Sequence, residues 1–277
     1  MRRFIYLMGL LLLLAVLSVA GQEASELLHH APIQITNDES FTEENGVVGG
    51  SGTQEDPYLI SGFIIDASGK NDGILIEGAT KVFRIENCHI IGAKRYGIRL
   101  VSVEGAVVAS CQVEDTLYGL VLKQANKTSI EQNIFLRSNK HAILVDASNS
   151  NTIAGNLFVK GGVGLSLIGD LTGTLIYDNI FDHCGLGISI LSLTGGNRVY
   201  RNDFIKCTAS SLSSSIWNNG EQIGNYWSDY VGKDKDEDGV GDAPYPIKFL
   251  EQQATVYTCW DYDYHPAMQP FRWEENG

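Results

Sequence analysis

Soft metal donors are scarce in this chain. It carries five cysteines and no Cys-x-x-Cys, and of its three methionines only Met268 lies beyond residue 20. His89, His141, His183 and His265 are scattered along the sequence. A copper site needs Met, Cys and His in groups, so copper is not expected. A zinc site is not expected either, because no Cys/His cluster has zinc spacing. There is no Asp-Asp pair and no Gly-His-Gly of the kind a polysaccharide-cleaving site would use. Basic residues are also short: 20 Lys and Arg stand against 33 Asp and Glu, a net charge of −13. Such a surface argues against nucleic acid and anionic membranes as partners.

One long apolar run exists, at the very start. Arg2 and Arg3 precede Phe4 to Leu17, and Ser18-Val19-Ala20 follows as a small-residue cleavage site. Residues 1–20 therefore read as a secretory signal, too short for a spanning helix. The mature chain is expected outside the cytoplasm, as a secreted, periplasmic or cell-surface protein without a transmembrane anchor. Removal of Arg2 and Arg3 takes the net charge from −13 to −15.

What the chain has in abundance is repetition. Ile74-Leu75-Ile76, Ile98-Arg99-Leu100, Leu120-Val121-Leu122, Ile143-Leu144-Val145, Leu165-Ser166-Leu167 and Ile188-Ser189-Ile190 begin 24, 22, 23, 22 and 23 residues apart. Five follow a glycine and the other follows Ala142. A second beat runs ahead of them, from Ile85-Glu86-Asn87-Cys88 to Val199-Tyr200-Arg201-Asn202. Alternating apolar residues with period 2, closed by Gly, Ser and Asn, mean short strands. A coil of about 23 residues made only of strands cannot bury its own face, so it must stack on its copies, about 4.8 Å apart. The fold expected is an all-β, single-domain, right-handed parallel β-helix of about seven rungs. Stacking puts Asn133, Asn156, Asn179 and Asn202 in one column, with Cys88 and Cys111 in the same register. Phe135, Phe158, Phe181 and Phe204 form another.

A solenoid needs caps, because its end rungs expose an open edge and an open core. Residues 21–60 are placed as an N-terminal arm and cap, 61–209 as the repeats, and 210–277 as a C-terminal cap with Trp217, Tyr226 and Trp227 as its lid. Three features together resemble the NosD-like, periplasmic copper-accessory family: Gly52-Thr53 with Asp56-Pro57-Tyr58-Leu59-Ile60; the Ile-x-Asn-Cys and Gly-Ile-x-Leu beats; and the ending from Gly224-Asn225-Tyr226-Trp227 to Ala243-Pro244-Tyr245. The resemblance implies an exported right-handed β-helix, with carbohydrate-binding proteins and sugar hydrolases among wider relatives.

Three sets of residues are candidates for function. Asp234, Asp236 and Asp238 occupy the first, third and fifth positions of a loop with Gly239 at the sixth; Val240 would add its carbonyl and Asp242 a further carboxylate. That density of oxygen ligands suits a structural calcium ion. The twelfth position is Tyr245, so the loop is not an EF-hand, and Asp229 or Asp263 is a candidate for the missing ligand. Tyr96, Tyr118 and His141 share one phase of the repeat and would line up on the surface as a sugar-contacting row; with Lys94, Arg95 and Arg99 beside them, an acidic glycan is the natural guess. Cys184 and Cys207, 23 residues apart and placed in turns, are the better candidates for a disulfide, while Cys88 and Cys111 face inward and Cys259 is left over.

No convergent carboxylates are apparent: Asp115, Asp146, Asp170, Asp178, Asp182 and Asp203 fall at different phases of the coil. The function expected is that of an exported, non-catalytic carbohydrate-binding or accessory protein. A polysaccharide hydrolase or lyase and a copper-delivery accessory are the alternatives. Oligomeric state is left open.

Overall fold

A computed structural model describes residues 27–192, 194–212, 215–247 and 261–271. The signal segment and Cys259 lie outside the described residues.

The chain winds as a parallel β-helix of three faces. The first face stacks Leu28–His29, Phe63–Asp66, His89–Ile91, Gln112–Glu114 and Ile134–Leu136, then the first halves of Leu157–Ile168 and Ile180–Leu191, then Asp203–Ile205 and Tyr226–Trp227. The second stacks Ile33–Ile35, Asp72–Glu77, Tyr96–Val101, Tyr118–Lys123 and His141–Asp146, the second halves of the two long strands, and Ala209–Ser211. The third runs from Val47–Gly49 through Tyr58–Ser61, Phe83–Glu86, Val107–Ala109, Ser129–Glu131, Thr152–Ala154 and Leu175–Tyr177 to Arg198–Tyr200. All neighbours are parallel except Val47–Gly49 on Tyr58–Ser61.

The arm expected before residue 31 is partly solenoid. Leu28 pairs with Phe63 and Ile33 with Ile74, so the chain begins its first rung at once and covers the edge that rung would expose.

Three columns hold the coil together. The apolar ends of each tripeptide, such as Ile98 and Leu100 or Leu165 and Leu167, are fully buried. The phenylalanine column is an unbroken stack of rings: Phe135 to Phe158 5.4 Å, Phe158 to Phe181 4.6 Å, Phe181 to Phe204 5.0 Å. It continues into the cap, with Trp227 4.0 Å beyond Phe204 and Tyr245 4.1 Å beyond Trp227. Tyr245 thus closes the core where a calcium loop of EF-hand type would need its last carboxylate. Trp217 is buried beside Trp227 as the second part of the lid.

The asparagine column is a hydrogen-bonded ladder. Asn133 donates from its backbone N–H (2.9 Å) and its Nδ2 (3.0 Å) to Asn156 Oδ1. Asn156 does the same to Asn179, Asn179 to Asn202, and Asn202 to Asn225. Each Nδ2 also donates to a carbonyl of the preceding rung, as from Asn156 to Ile130 at 2.9 Å. The residue before each ladder Asn from Asn133 to Asn202 is left-handed; Gln132, Asp178 and Arg201 have φ of 56°, 54° and 54°. That backbone costs a non-glycine residue on the order of 1 kcal/mol, which the buried amide bonds offset.

Cys184 and Cys207 are corrected here. Both are buried free thiols; Cys207 lies at the corner between Asp203–Ile205 and Ala209–Ser211, but Cys184 is not in a turn. Cys184 lies inside the strand Ile180–Leu191, where glycines let the chain bend from the first face to the second without a loop. Their thiols point to Phe158 and Phe181 carbonyls, and burial pushes both up to about 12, so they pack as small apolar groups.

Candidate functional site

The Asp-rich loop sits on the C-terminal cap. Asp234 folds over it, accepting from the Asp238 N–H at 3.2 Å and the Gly239 N–H at 2.9 Å, while Asp238 accepts from the Val240 N–H at 2.8 Å. Glu237 and Gly239 take the left-handed backbone that closes the turn, at φ of 62° and 87°. One oxygen each from Asp234, Asp236 and Asp238 lies within 4.8 Å of the others. Val240 and Asp242 join Asp236, Asp238, Tyr264 and His265 around a cleft of about 190 Å³. The Asp242 carboxylate is 3.9 Å from Lys235 Nζ.

The two candidates for the missing ligand differ in their surroundings. Asp229 accepts the Tyr245 hydroxyl at 3.0 Å. Asp263 is fully buried and accepts from Asn225, Trp227 and His265.

The loop is tied to the solenoid through the segment after Asp263. Gly241 N–H donates to the Pro266 carbonyl at 2.8 Å, Met268 N–H to Gly239 at 3.0 Å, and Ala267 N–H to Asn225 at 2.9 Å. The Asp-rich turn, this segment and the last ladder asparagine are therefore one connected unit.

The row Tyr96, Tyr118, His141 forms on the edge of the second face. Ring centroids are 5.3 Å apart between Tyr96 and Tyr118 and 5.5 Å between Tyr118 and His141. At that separation coplanar rings would collide edge to edge, so each ring covers part of its neighbour's face. Cations take more of those faces: the guanidinium groups of Arg95 and Arg99 lie 5.1 and 5.0 Å from the Tyr96 centroid, and Lys140 Nζ 5.3 Å from that of Tyr118. All three rings are half-buried. Arg99 is also held by Asp72, Nε to Oδ1 at 2.7 Å. Burial, helped by Lys140, lowers the His141 pKa and keeps the ring neutral.

The scattered carboxylates stay apart. Asp115 pairs with Arg137, Asp178 with Arg201, Asp182 with His183, and Asp203 accepts the Phe271 N–H. Among the described residues Asp234, Asp236 and Asp238 are the group of three that converges. A polar cluster escaped the sequence reading: His89 meets Glu114 at 2.7 Å, and Arg137 reaches Glu114 and Asp115, both at 2.7 Å. The repeat could have revealed it, since Glu114 and Arg137 are one rung apart.

A family model described as periplasmic copper-binding protein (NosD) matches residues 33–232. No curated protein matches the chain. Two solved structures show local likeness. The complex structure of XylC with xylose is 19% identical, with a TM-score of 0.41 over 55% of this chain and 27% of that one. ORF18 of Geobacillus virus E2 is 13% identical, with a TM-score of 0.40 over 68% of this chain and 48% of that one. This chain spans less than half the length of either. Among the described residues no helix is long and apolar enough to cross a membrane.

Proposed function

The chain belongs to the NosD family of periplasmic copper-binding proteins, and from that premise we propose that it is a non-catalytic, extracytoplasmic carbohydrate-binding or accessory protein whose C-terminal cap is braced by calcium. The observation that carries the carbohydrate reading is the surface row of Tyr96, Tyr118 and His141, spaced at 5.3 and 5.5 Å along the solenoid. A rigid, repeating row of hydroxyls and ring edges suits a repeating polymer of hydroxylated units. The calcium reading is supported by the three carboxylates of Asp234, Asp236 and Asp238 within mutual reach of one ion.

The residues described do not fit copper. The converging group is made of hard carboxylate oxygens. The thiols of Cys111, Cys184 and Cys207 are buried and their pKa values raised by that burial, while that of Cys88, lowered chiefly by its hydrogen bond with Cys111, is equally buried in the core, so no exposed group of soft donors forms among the described residues. His89 is bound to Glu114 and His183 to Asp182, far from one another in the coil. No step through copper follows from this donor set.

A glycan array on the mature protein, with reducing-sugar release measured on every hit, tests the reading. Binding without product is the expected result, weakened when Tyr96 and Tyr118 are both changed to Ala while the melting temperature holds. Absence of any glycan hit, or binding indifferent to both substitutions, would sink it.

A further inference from the structure

The acidic excess of this chain is unevenly placed. The N-terminal cap carries Asp38, Glu39, Glu43, Glu44, Glu55 and Asp56, and the C-terminal cap carries the Asp-rich loop. Between them, the edge joining the first and second faces is basic. Of the six rungs from Lys94 to Lys206, four contribute exposed lysine or arginine here, Lys94 and Arg95, then Lys140, Lys160 and Lys206, while the two rungs between carry Asp115 and Asp182. The acids nearest this edge are already engaged, Asp115 by Arg137 and Asp182 by His183. With a rung every 4.8 Å or so, the ridge from Arg95 to the rung of Lys206 runs about 24 Å along the axis.

The ridge also has a low floor. At Gly161, Gly162 and Gly185 the edge has no side chains, because a Cβ there would stand 2.6, 2.5 and 2.7 Å from a carbonyl of the previous rung. A ligand chain can approach the backbone closely at such a shelf. Immediately beside it stand Tyr118 and His141, which stack on each other, with Lys140 over the Tyr118 ring.

Building on the carbohydrate-binding reading, we infer that this ridge binds a uronate-bearing polysaccharide lengthwise, its carboxylates on Arg95, Lys140 and Lys206, and its hydroxyls on the tyrosine edges and the glycine shelf. Charge selects the acid over a neutral glycan, and covered ring faces remove the stacking on which neutral-sugar binding would depend. The same covered faces, and the net charge of −13, disfavour single-stranded nucleic acid, which needs open rings for its bases.

The test compares polygalacturonate, its fully methyl-esterified form and neutral xylan by calorimetry on the mature protein, at low salt and at about 0.5 M NaCl. Polygalacturonate should bind, its ester far less, and salt should weaken the binding strongly because these contacts are exposed. Arg95→Ala with Lys140→Ala should weaken polygalacturonate binding roughly tenfold with the melting temperature held. Lys127→Ala, on a different corner and paired with Glu104, should leave it unchanged. Acid and ester bound equally, salt-insensitive binding, or an unaffected double variant each overturn the anionic ligand. If neutral glycans still bind through Tyr96 and Tyr118, the carbohydrate reading survives without it. If no glycan binds at all, both fall.

Discussion

Asp263 ends the asparagine ladder by standing where the next asparagine would be. Its Oδ2 accepts from the Asn225 N–H at 2.7 Å and Nδ2 at 3.1 Å, the pair of bonds that each earlier Asn gives to the Oδ1 of its successor. The same oxygen takes Trp227 Nε1 at 3.0 Å, and Oδ1 takes the His265 N–H at 3.0 Å. One carboxylate therefore satisfies the ladder, the lid and the closing segment.

Two substitutions test the ladder. Asn156→Leu strips a buried donor and acceptor from the middle, leaving Asn133 and the Ile130 carbonyl unpaired, and should cost about 2–4 kcal/mol. Asp263→Ala orphans the Asn225 and His265 backbone N–H groups and the Trp227 indole N–H at the end and should cost about 3–5 kcal/mol. Urea unfolding reads both as a lower midpoint. A midpoint unchanged in either variant would show that the column is solvated.

The pH dependence carries the mark of the same residue. Burial, outweighing the bonds from Trp227, His265 and Asn225, raises the Asp263 pKa above 3.8, and burial raises Asp261 likewise. A carboxyl raised in the folded state binds more protons folded than unfolded above pH 3.8. Its contribution is therefore fully present below that value and is lost as pH climbs through the folded pKa. The opposite holds for Asp115, lowered by Arg137, whose contribution is present above 3.8 and fades on acidification below it. In the window above 3.8, Asp263→Asn should flatten the fall in urea midpoint with rising pH. Parallel curves for variant and wild type would contradict the assignment.

The sequence made the columns legible because the period carried them: Asn156 and Phe158 recur rung after rung, and stacking follows from equal phase. Asp263 was read only as a spare metal ligand. It lies 38 residues from Asn225, off the period, and nothing local marks its carboxylate as buried. Cys184 was misplaced for a related reason: glycines there turn a corner into continuous strand, whereas Cys207 does sit at a corner and its thiol is buried all the same. The ring row was legible as a row, but its covered faces were not. Phase fixes which rings align, whereas rotamers decide whether they stack.

The glycine that precedes most tripeptides has a packing reason. A Cβ on Gly164 would lie 2.6 Å from Phe181 Cδ1 and 2.7 Å from the Gly187 carbonyl, between the aromatic stack and the next rung. Gly164→Ala should destabilise by about 1–3 kcal/mol through overpacking. Gly49 has no atom within 4 Å of its Cβ position, and Gly49→Ala should be neutral to about 1 kcal/mol stabilising. Thermal melts of the two variants check the contrast, and equal effects would refute the packing account.

Calcium should stabilise the cap, and the solenoid through it. Asp234, Asp236 and Asp238 hold one oxygen each within 4.8 Å of the others, where like charges repel. Their loop bonds to Pro266 and Met268, and that segment to Asn225 at the end of the ladder. An ion bound only by the folded state adds RT ln(1 + [L]/Kd), about 2.7 kcal/mol at a hundredfold excess over Kd. Calcium added to chelator-treated protein should therefore raise the melting temperature. Asp236→Asn with Asp238→Asn should abolish the rise, because the remaining carboxylates are too few for a cation that takes six or more oxygens. These two side chains are exposed and bear no core contact, so the variant should melt where the metal-free wild type does. The same melting temperature with and without calcium in the wild-type protein would remove the ion from the cap.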